Sequence, residues 1–207
     1  MDKAEKLERY RIANQAAQKG QIVFAGSSLM EMFPVEKLLR ERGVDTLVYN
    51  RGIGGFVTRE LLAHLDVCVT DLMPRRVFIN IGTNDLSDPT LPLTEVMARY
   101  DAIITRIEQC VSGVELLLMA YYPVNYDAAA ESMKPCLRIR TNEKIDAANA
   151  LVQQLAQRHG QRYIDVNRAL KDAQGRLRAE YTIEGMHIRE EGYRAIMDDL
   201  IPYVLAE

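Results

Sequence analysis

The sequence predicts an α/β protein of three layers, in which a five-stranded parallel sheet of order 2-1-3-4-5 lies between two layers of helices. Three observations carry this prediction. Short, almost wholly apolar runs occur five times along the 207 residues, as expected of strands buried on both faces. Each run alternates with a stretch of helical spacing, the signature of a parallel sheet with crossover helices. Glycine-rich or polar strings stand where the runs end, and right-handed crossovers leave few topologies able to accommodate the pattern.

In chain order, Lys3 to Lys19 is a polar stretch rich in Ala and Gln that reads as a helix, stopped at Gly20. The first strand spans about residues 21–25 and ends in Ile22-Val23-Phe24-Ala25. Gly26 then permits a tight turn, and Ser27 and Ser28 begin the next element. Taken alone, the two serines read as helix N-caps. Pro34 to Arg42 is a short helix with Val35, Leu38 and Leu39 on one face, and Gly43 ends it. Thr46 to Tyr49 is the second strand and runs into the glycine-dense turn Asn50 to Gly55. Thr58 to Val69 has helical spacing through Leu61, Leu62 and Leu65. The third strand, Arg76 to Ile81, ends in Gly82-Thr83-Asn84-Asp85, and a loop with two prolines follows. Thr94 to Cys110 is a long amphipathic helix, Val114 to Ala120 the fourth strand, and Tyr121 to Pro135 a long connection without periodicity. Arg138 to His159 is a helix, Arg162 to Val166 the fifth strand, and Gly192 to Leu205 the closing helix. This is the flavodoxin-like order. Neither a repeat nor a linker interrupts it, so one domain is expected over residues 1–207, with residues 1–20 as an N-terminal helix.

Composition narrows the functional classes. Hydrophobic content of 48% and charged content of 27% are those of an ordinary globular domain. A formal net charge of -3 gives no electrostatic case for nucleic acid or an anionic membrane. No run approaches the roughly 20 apolar residues that span a bilayer. Met1 to Tyr10 is charged and lacks the apolar centre of a secretory signal. Cys68, Cys110 and Cys136 are widely spaced and match no zinc or redox pattern. They read as small buried hydrophobes, and a cytoplasmic protein is expected.

Four strings carry the chemistry: Gly26-Ser27-Ser28, Asn50 to Gly55, Gly82 to Asp85, and Glu184-Gly185-Met186-His187. The first three follow strands, so a parallel sheet brings them to one edge. Ser28 offers a nucleophile and Asn84 an amide donor, while the glycine turn offers a backbone N–H. His187 offers a base, with Glu184 three residues earlier to orient it.

Together the four strings resemble the sequence blocks of the SGNH (GDSL-type) serine hydrolase superfamily, in order and spacing, over nearly the whole chain. The nearest resemblance is to bacterial proteins similar to platelet-activating-factor acetylhydrolase subunits. The resemblance implies that Ser28 is the nucleophile, His187 the general base and Glu184 the orienting acid. It also implies an oxyanion hole from the N–H groups of Gly55 and Ser28 and the side-chain amide of Asn84. The chain departs from the family pattern twice: Ser27 and Glu184 each stand where the family has Asp. The second departure bears on reach and angle to His187.

Other residues have plainer readings. His64 and His159 read as structural, Asp85 as a brace beside Asn84, and Asp165 as a spare carboxylate. Gly52, Gly54 and Gly55 do not make a dinucleotide fingerprint, because the final glycine would fall at Val57. Met30, Met32, Phe33, Phe56 and Met186 fit an acyl pocket or the core equally well. Tyr121 to Pro135 is open between a substrate wall and a homodimer contact. Arg138 and Arg140 read as helix-start residues with no special task. The expected activity is hydrolysis of short-chain acyl esters, small molecules, with no metal or cofactor. A weakly active or inactive binding module on the same fold, and a nucleotide-binding protein, are the competing readings.

Overall fold

The structure, a computed structural model, describes residues 1–206. In chain order the elements are α1 (Lys3–Gln15), β1 (Ile22–Gly26), α2 (Ser28–Glu31), α3 (Val35–Glu41), β2 (Val48–Asn50), α4 (Thr58–Ala63), α5 (Leu65–Cys68) and β3 (Arg76–Asn80). Then follow α6 (Leu93–Cys110), β4 (Glu115–Met119), α7 (Lys134–Leu137), α8 (Asn142–Arg158), β5 (Arg162–Ile164), α9 (Glu190–Ala195) and α10 (Met197–Leu205). The five strands pair in the order β2-β1-β3-β4-β5, all parallel, as the sequence predicts.

Each face of the sheet carries its own core. Along β1, Val23 and Ala25 face one cluster, with Val77, Ile79, Leu116 and Leu118, covered by α4, α5, α6 and α8. Ile22 and Phe24 face the other, with Phe78, Leu117 and Met119, covered by α2, α3, α9 and α10. The two-residue alternation of a strand thus feeds both layers at once. At the centre of the second core the rings of Phe24 and Phe78 stack with centroids 4.4 Å apart.

Element boundaries differ from the sequence reading where tertiary contacts intervene. The helix expected over 58–69 breaks at His64, whose φ of -123° leaves the helical region. The break lets α4 pack on α6 while α5 packs on α1. The helix expected from Arg138 starts at Asn142 instead, because Thr141 is extended and its Oγ caps the Lys144 N–H at 3.3 Å. The closing helix divides at Ile196 into α9 and α10. Strands β2 and β5 are only three residues each, the brevity usual at sheet edges.

Two of the structural histidine and cysteine expectations can be placed. His159 bridges α8 to α6, with Nδ1 2.9 Å from Glu108 and Nε2 2.9 Å from Asp101. Cys68 is buried and its thiol pKa is pushed up to about 12 by desolvation, as for a core residue. Cys110, by contrast, is exposed at the end of α6, and all three cysteines are free. Among the described residues no helix is long and apolar enough to cross a membrane.

Phe78→Ala removes a fully buried ring from the middle of the sheet, and urea denaturation should show a loss of about 3–5 kcal/mol. His159 supplies a pH-dependent test. Burial alone would lower its pKa, but hydrogen bonds and charge from Asp101 and Glu108 override this and raise it above its ordinary value of 6.5. The stabilisation is therefore complete below the unfolded-state value and fades as pH rises through the folded one. His159→Gln should cost more at pH 5.5 than at pH 9 in urea melts.

Candidate active site

The register of the sheet pairs Gly26 with Asn80, so β1 and β3 end side by side. At the end of β1, Ser27 is extended and occupies the N-cap of α2, yet its hydroxyl makes no cap bond. Ser28 is the first residue of α2, and its Oγ lies 3.0 Å from His187 Nε2. Neither serine acts as a capping side chain. Helix α2 is held from both sides: Asn50 Nδ2 donates to the carbonyls of Met30 (2.6 Å) and Phe33 (3.0 Å), and Tyr193 OH donates to that of Leu29 (2.6 Å). Burial keeps the Tyr193 phenol far from ionising, so it remains a donor.

His187 Nδ1 lies 2.6 Å from Glu184 Oε1, which also accepts the His187 backbone N–H at 3.2 Å. A carboxylate only accepts, so Nδ1 carries the proton and Nε2 is free to accept from Ser28 Oγ–H. Thr182 Oγ staples the Glu184–His187 loop, donating to His187 O at 3.0 Å and accepting from Gly185 N–H at 2.8 Å. The connection after β4 lies under it: Asn125 N–H donates to Gly185 O at 2.8 Å and Ala130 N–H to Glu184 O at 3.2 Å. This part of the Tyr121 to Pro135 stretch is therefore a platform for the Glu184–His187 loop.

Gly55 and Asn84 form a second unit. Asn84 Nδ2 donates to Phe56 O at 2.9 Å, and Asp85 accepts from both Thr58 N–H (2.9 Å) and Thr58 Oγ (2.6 Å). Asp85 is thus the expected brace between this loop and the start of α4. The glycine turn is tied back to the Ser28 side, with Ile53 N–H on Gly26 O at 3.0 Å and Gly54 N–H on Glu31 Oε2 at 2.7 Å. Helix α1 clamps its outer side: Tyr10 OH donates to Gly52 O at 2.8 Å and Lys3 Nζ to Gly55 O at 3.0 Å. Lys6 pairs with Glu31 at 2.6 Å. The backbone N–H groups of Ser28 and Gly55 donate to no group among the described residues.

Several sequence readings can be placed here. Met30, Phe33, Phe56 and Met186 are buried in the two cores, and Met32 is 41% exposed. Asp165 spends its carboxylate on Asn167 N–H at 2.9 Å and on Lys171, away from His187. Arg138 is a surface residue on Tyr126 OH. Arg140 is not what the sequence suggested: it is only 3% exposed. Its Nη2 donates to Asn84 Oδ1 at 2.8 Å, its Nε to Ser87 Oγ at 2.9 Å and its Nη1 to Met186 Sδ at 2.6 Å. Burial lowers the guanidinium pKa, opposed by Cys136 and Asp85. A cavity of about 240 Å³ opens beside Asn84, lined by Val57, Arg59, Asp85, Asp88, Leu91 and Arg99.

With this geometry in hand, comparison with known proteins is informative. The model of the GDSL-like lipase/acylhydrolase family matches residues 33–195. A structure from Streptococcus pneumonia, described as a candidate platelet activating factor, is 31% identical, with a TM-score of 0.87 over 98% of this chain and 92% of the other. A candidate acylhydrolase from Bacteroides fragilis is 24% identical, TM-score 0.77, over 95% and 94% of the two chains. A catalytic mutant of an acetylxylan esterase from Geobacillus stearothermophilus shares the fold at 18% identity, TM-score 0.68, over 92% and 97%. No curated protein matches significantly.

The Glu184–His187 loop depends on a glycine. Gly185 has φ of +101°, and a Cβ there would lie 2.7 Å from Ala129 Cβ and 2.8 Å from Asn125 O. Gly160 also has positive φ, +64°, but its Cβ would meet open space. Gly160→Ala should cost about 1–2 kcal/mol from backbone strain alone. Gly185→Ala should cost clearly more in the same urea melts, because the platform must also shift.

Proposed function

The chain belongs to the GDSL-like lipase/acylhydrolase family, and on that footing we propose that it hydrolyses short-chain acyl esters through a Ser28-His187-Glu184 triad. The observation that carries this reading is the continuous hydrogen-bonded chain from Ser28 Oγ through His187 to Glu184, at 3.0 and 2.6 Å. Nucleophile, base and orienting acid stand within bonding reach of one another, the arrangement by which a serine is activated.

The chemistry runs in two halves. His187 Nε2 takes the Ser28 proton as Oγ bonds to the ester carbonyl carbon, and the carbonyl π electrons move to oxygen. Glu184 stabilises the imidazolium that results. The oxyanion is held by the N–H groups of Gly55 and Ser28 and by the second N–H of Asn84 Nδ2, the first being engaged with Phe56 O. Collapse breaks the bond to the alcohol oxygen, which leaves with the proton from His187. Water then attacks the acyl-enzyme with His187 again as base, releasing the acid and restoring Ser28.

One feature supports a small acyl group. Of the apolar side chains singled out beside the site, Met30, Phe33, Phe56 and Met186 are committed to the core and only Met32 is exposed. A long hydrocarbon chain would find little apolar surface to bury against there.

Purified protein should hydrolyse p-nitrophenyl acetate and butyrate faster than the octanoate. Ser28→Ala should abolish this activity, and Asn84→Ala should lower kcat by about 100- to 1000-fold. Equal rates for wild type and Ser28→Ala would reject the proposal.

A further inference from the structure

Arg140 is a buried cation with no carboxylate within ion-pairing distance among the described residues. A desolvated charge with no directly paired carboxylate is costly, so the groups its donors hold are the place to look for its role. Its donors lie on neutral groups of two loops of the site: Asn84 Oδ1 and, just after that string, Ser87 Oγ on one side, and Met186 Sδ, between Glu184 and His187, on the other.

The contact with Asn84 decides how that amide is turned. A guanidinium has donors and no acceptor, so only Oδ1 can face Arg140. Flipping the amide would set N–H against N–H at Arg140 and Oδ1 against the carbonyl of Phe56. With Oδ1 fixed, Nδ2 must point the other way, with one N–H on Phe56 O and the second left for the site. A charge-assisted bond at Oδ1 also draws electron density from the amide and makes Nδ2–H a stronger donor.

We propose that Arg140 is a positioning residue that locks and polarises the Asn84 amide for the oxyanion. Its catalytic consequence rests on the acylhydrolase reading; its effect on the Asn84 amide does not. Lysine, with a point charge and no planar fork, should replace it poorly.

The test is a double-mutant cycle on p-nitrophenyl acetate hydrolysis, using wild type, Arg140→Met, Asn84→Ala and the double variant, with Arg140→Lys beside them. Arg140→Met should lower kcat about 10- to 100-fold with KM within about two-fold. Arg140→Lys should fall between it and wild type. In the Asn84→Ala background, Arg140→Met should cause no further loss of kcat. A full multiplicative loss in the double variant, or wild-type kcat in a folded Arg140→Lys, would overturn the proposal. The Asn84 side-chain amide resonances, assigned by their disappearance in Asn84→Ala, give a readout independent of turnover. They should move in Arg140→Met, or in Arg140→Lys if the Met variant does not fold. Unmoved resonances overturn the proposal even if Ser28→Ala has shown the hydrolase reading to be wrong. Moved resonances with an active Ser28→Ala reject that reading alone.

Discussion

Parallel pairing of β1 with its two neighbours sets where Ser28, the glycine turn and Asn84 stand. Because Gly26 is in register with Asn80, β1 and β3 end at one level, and β2 ends two residues earlier, with Asn50 opposite Phe24, so all three release their loops at the same edge of the sheet. The stacked Phe24 and Phe78 rings lie two residues before the ends of β1 and β3, so the packing that fixes the register also fixes the floor of the site. A slip of one residue would exchange the two cores and turn Ser28 away from His187.

Above that floor, the site is built from loops that brace one another. Asn50 and Tyr193 hold the carbonyls of α2; Asp85 holds Thr58; Thr182 and the connection after β4 hold the Glu184–His187 loop. Asn50, Tyr193 and Asp85 join backbone to a side chain from a distant element, Thr182 works within its own loop, and the connection after β4 bonds backbone to backbone. Short loops with few internal hydrogen bonds thereby acquire fixed positions without regular structure, which suits groups that must be aligned within a fraction of an ångström.

Much of this was legible in the sequence, and the reason is local. Strands buried on both faces announce themselves as apolar runs, and the strings at their ends carry glycines and polar residues that packing alone does not call for. Ser28, Asn84, Glu184 and His187 could therefore be singled out before any coordinates, and their spatial grouping followed from the topology. The break at His64 was not legible, since Leu61 and Leu65 keep helical spacing across it and only the different partners of α4 and α5 impose it. Arg140 was not legible either. It stands two residues from Arg138, next to a capping threonine, in a setting that reads as solvent-exposed. What separates the two arginines is burial by the Met186 loop and the Asn84 loop, neither near in sequence. A cation so close to an N-cap, with Cys136 and Leu137 just before it, was the one faint sign of an inward turn.

The bond between Ser28 and His187 spans 159 residues. On a ribosome adding about 5–20 residues per second, roughly 8–30 s pass between the synthesis of the two. During that interval the hydroxyl has no base beside it. Glu184 arrives only three residues before its imidazole, inside the loop that Thr182 will staple. The nascent chain thus carries Ser28 without its histidine partner for most of its synthesis, and on the proposed reading any reactivity conferred by His187 arises only once the last strand and the loop after it have been made.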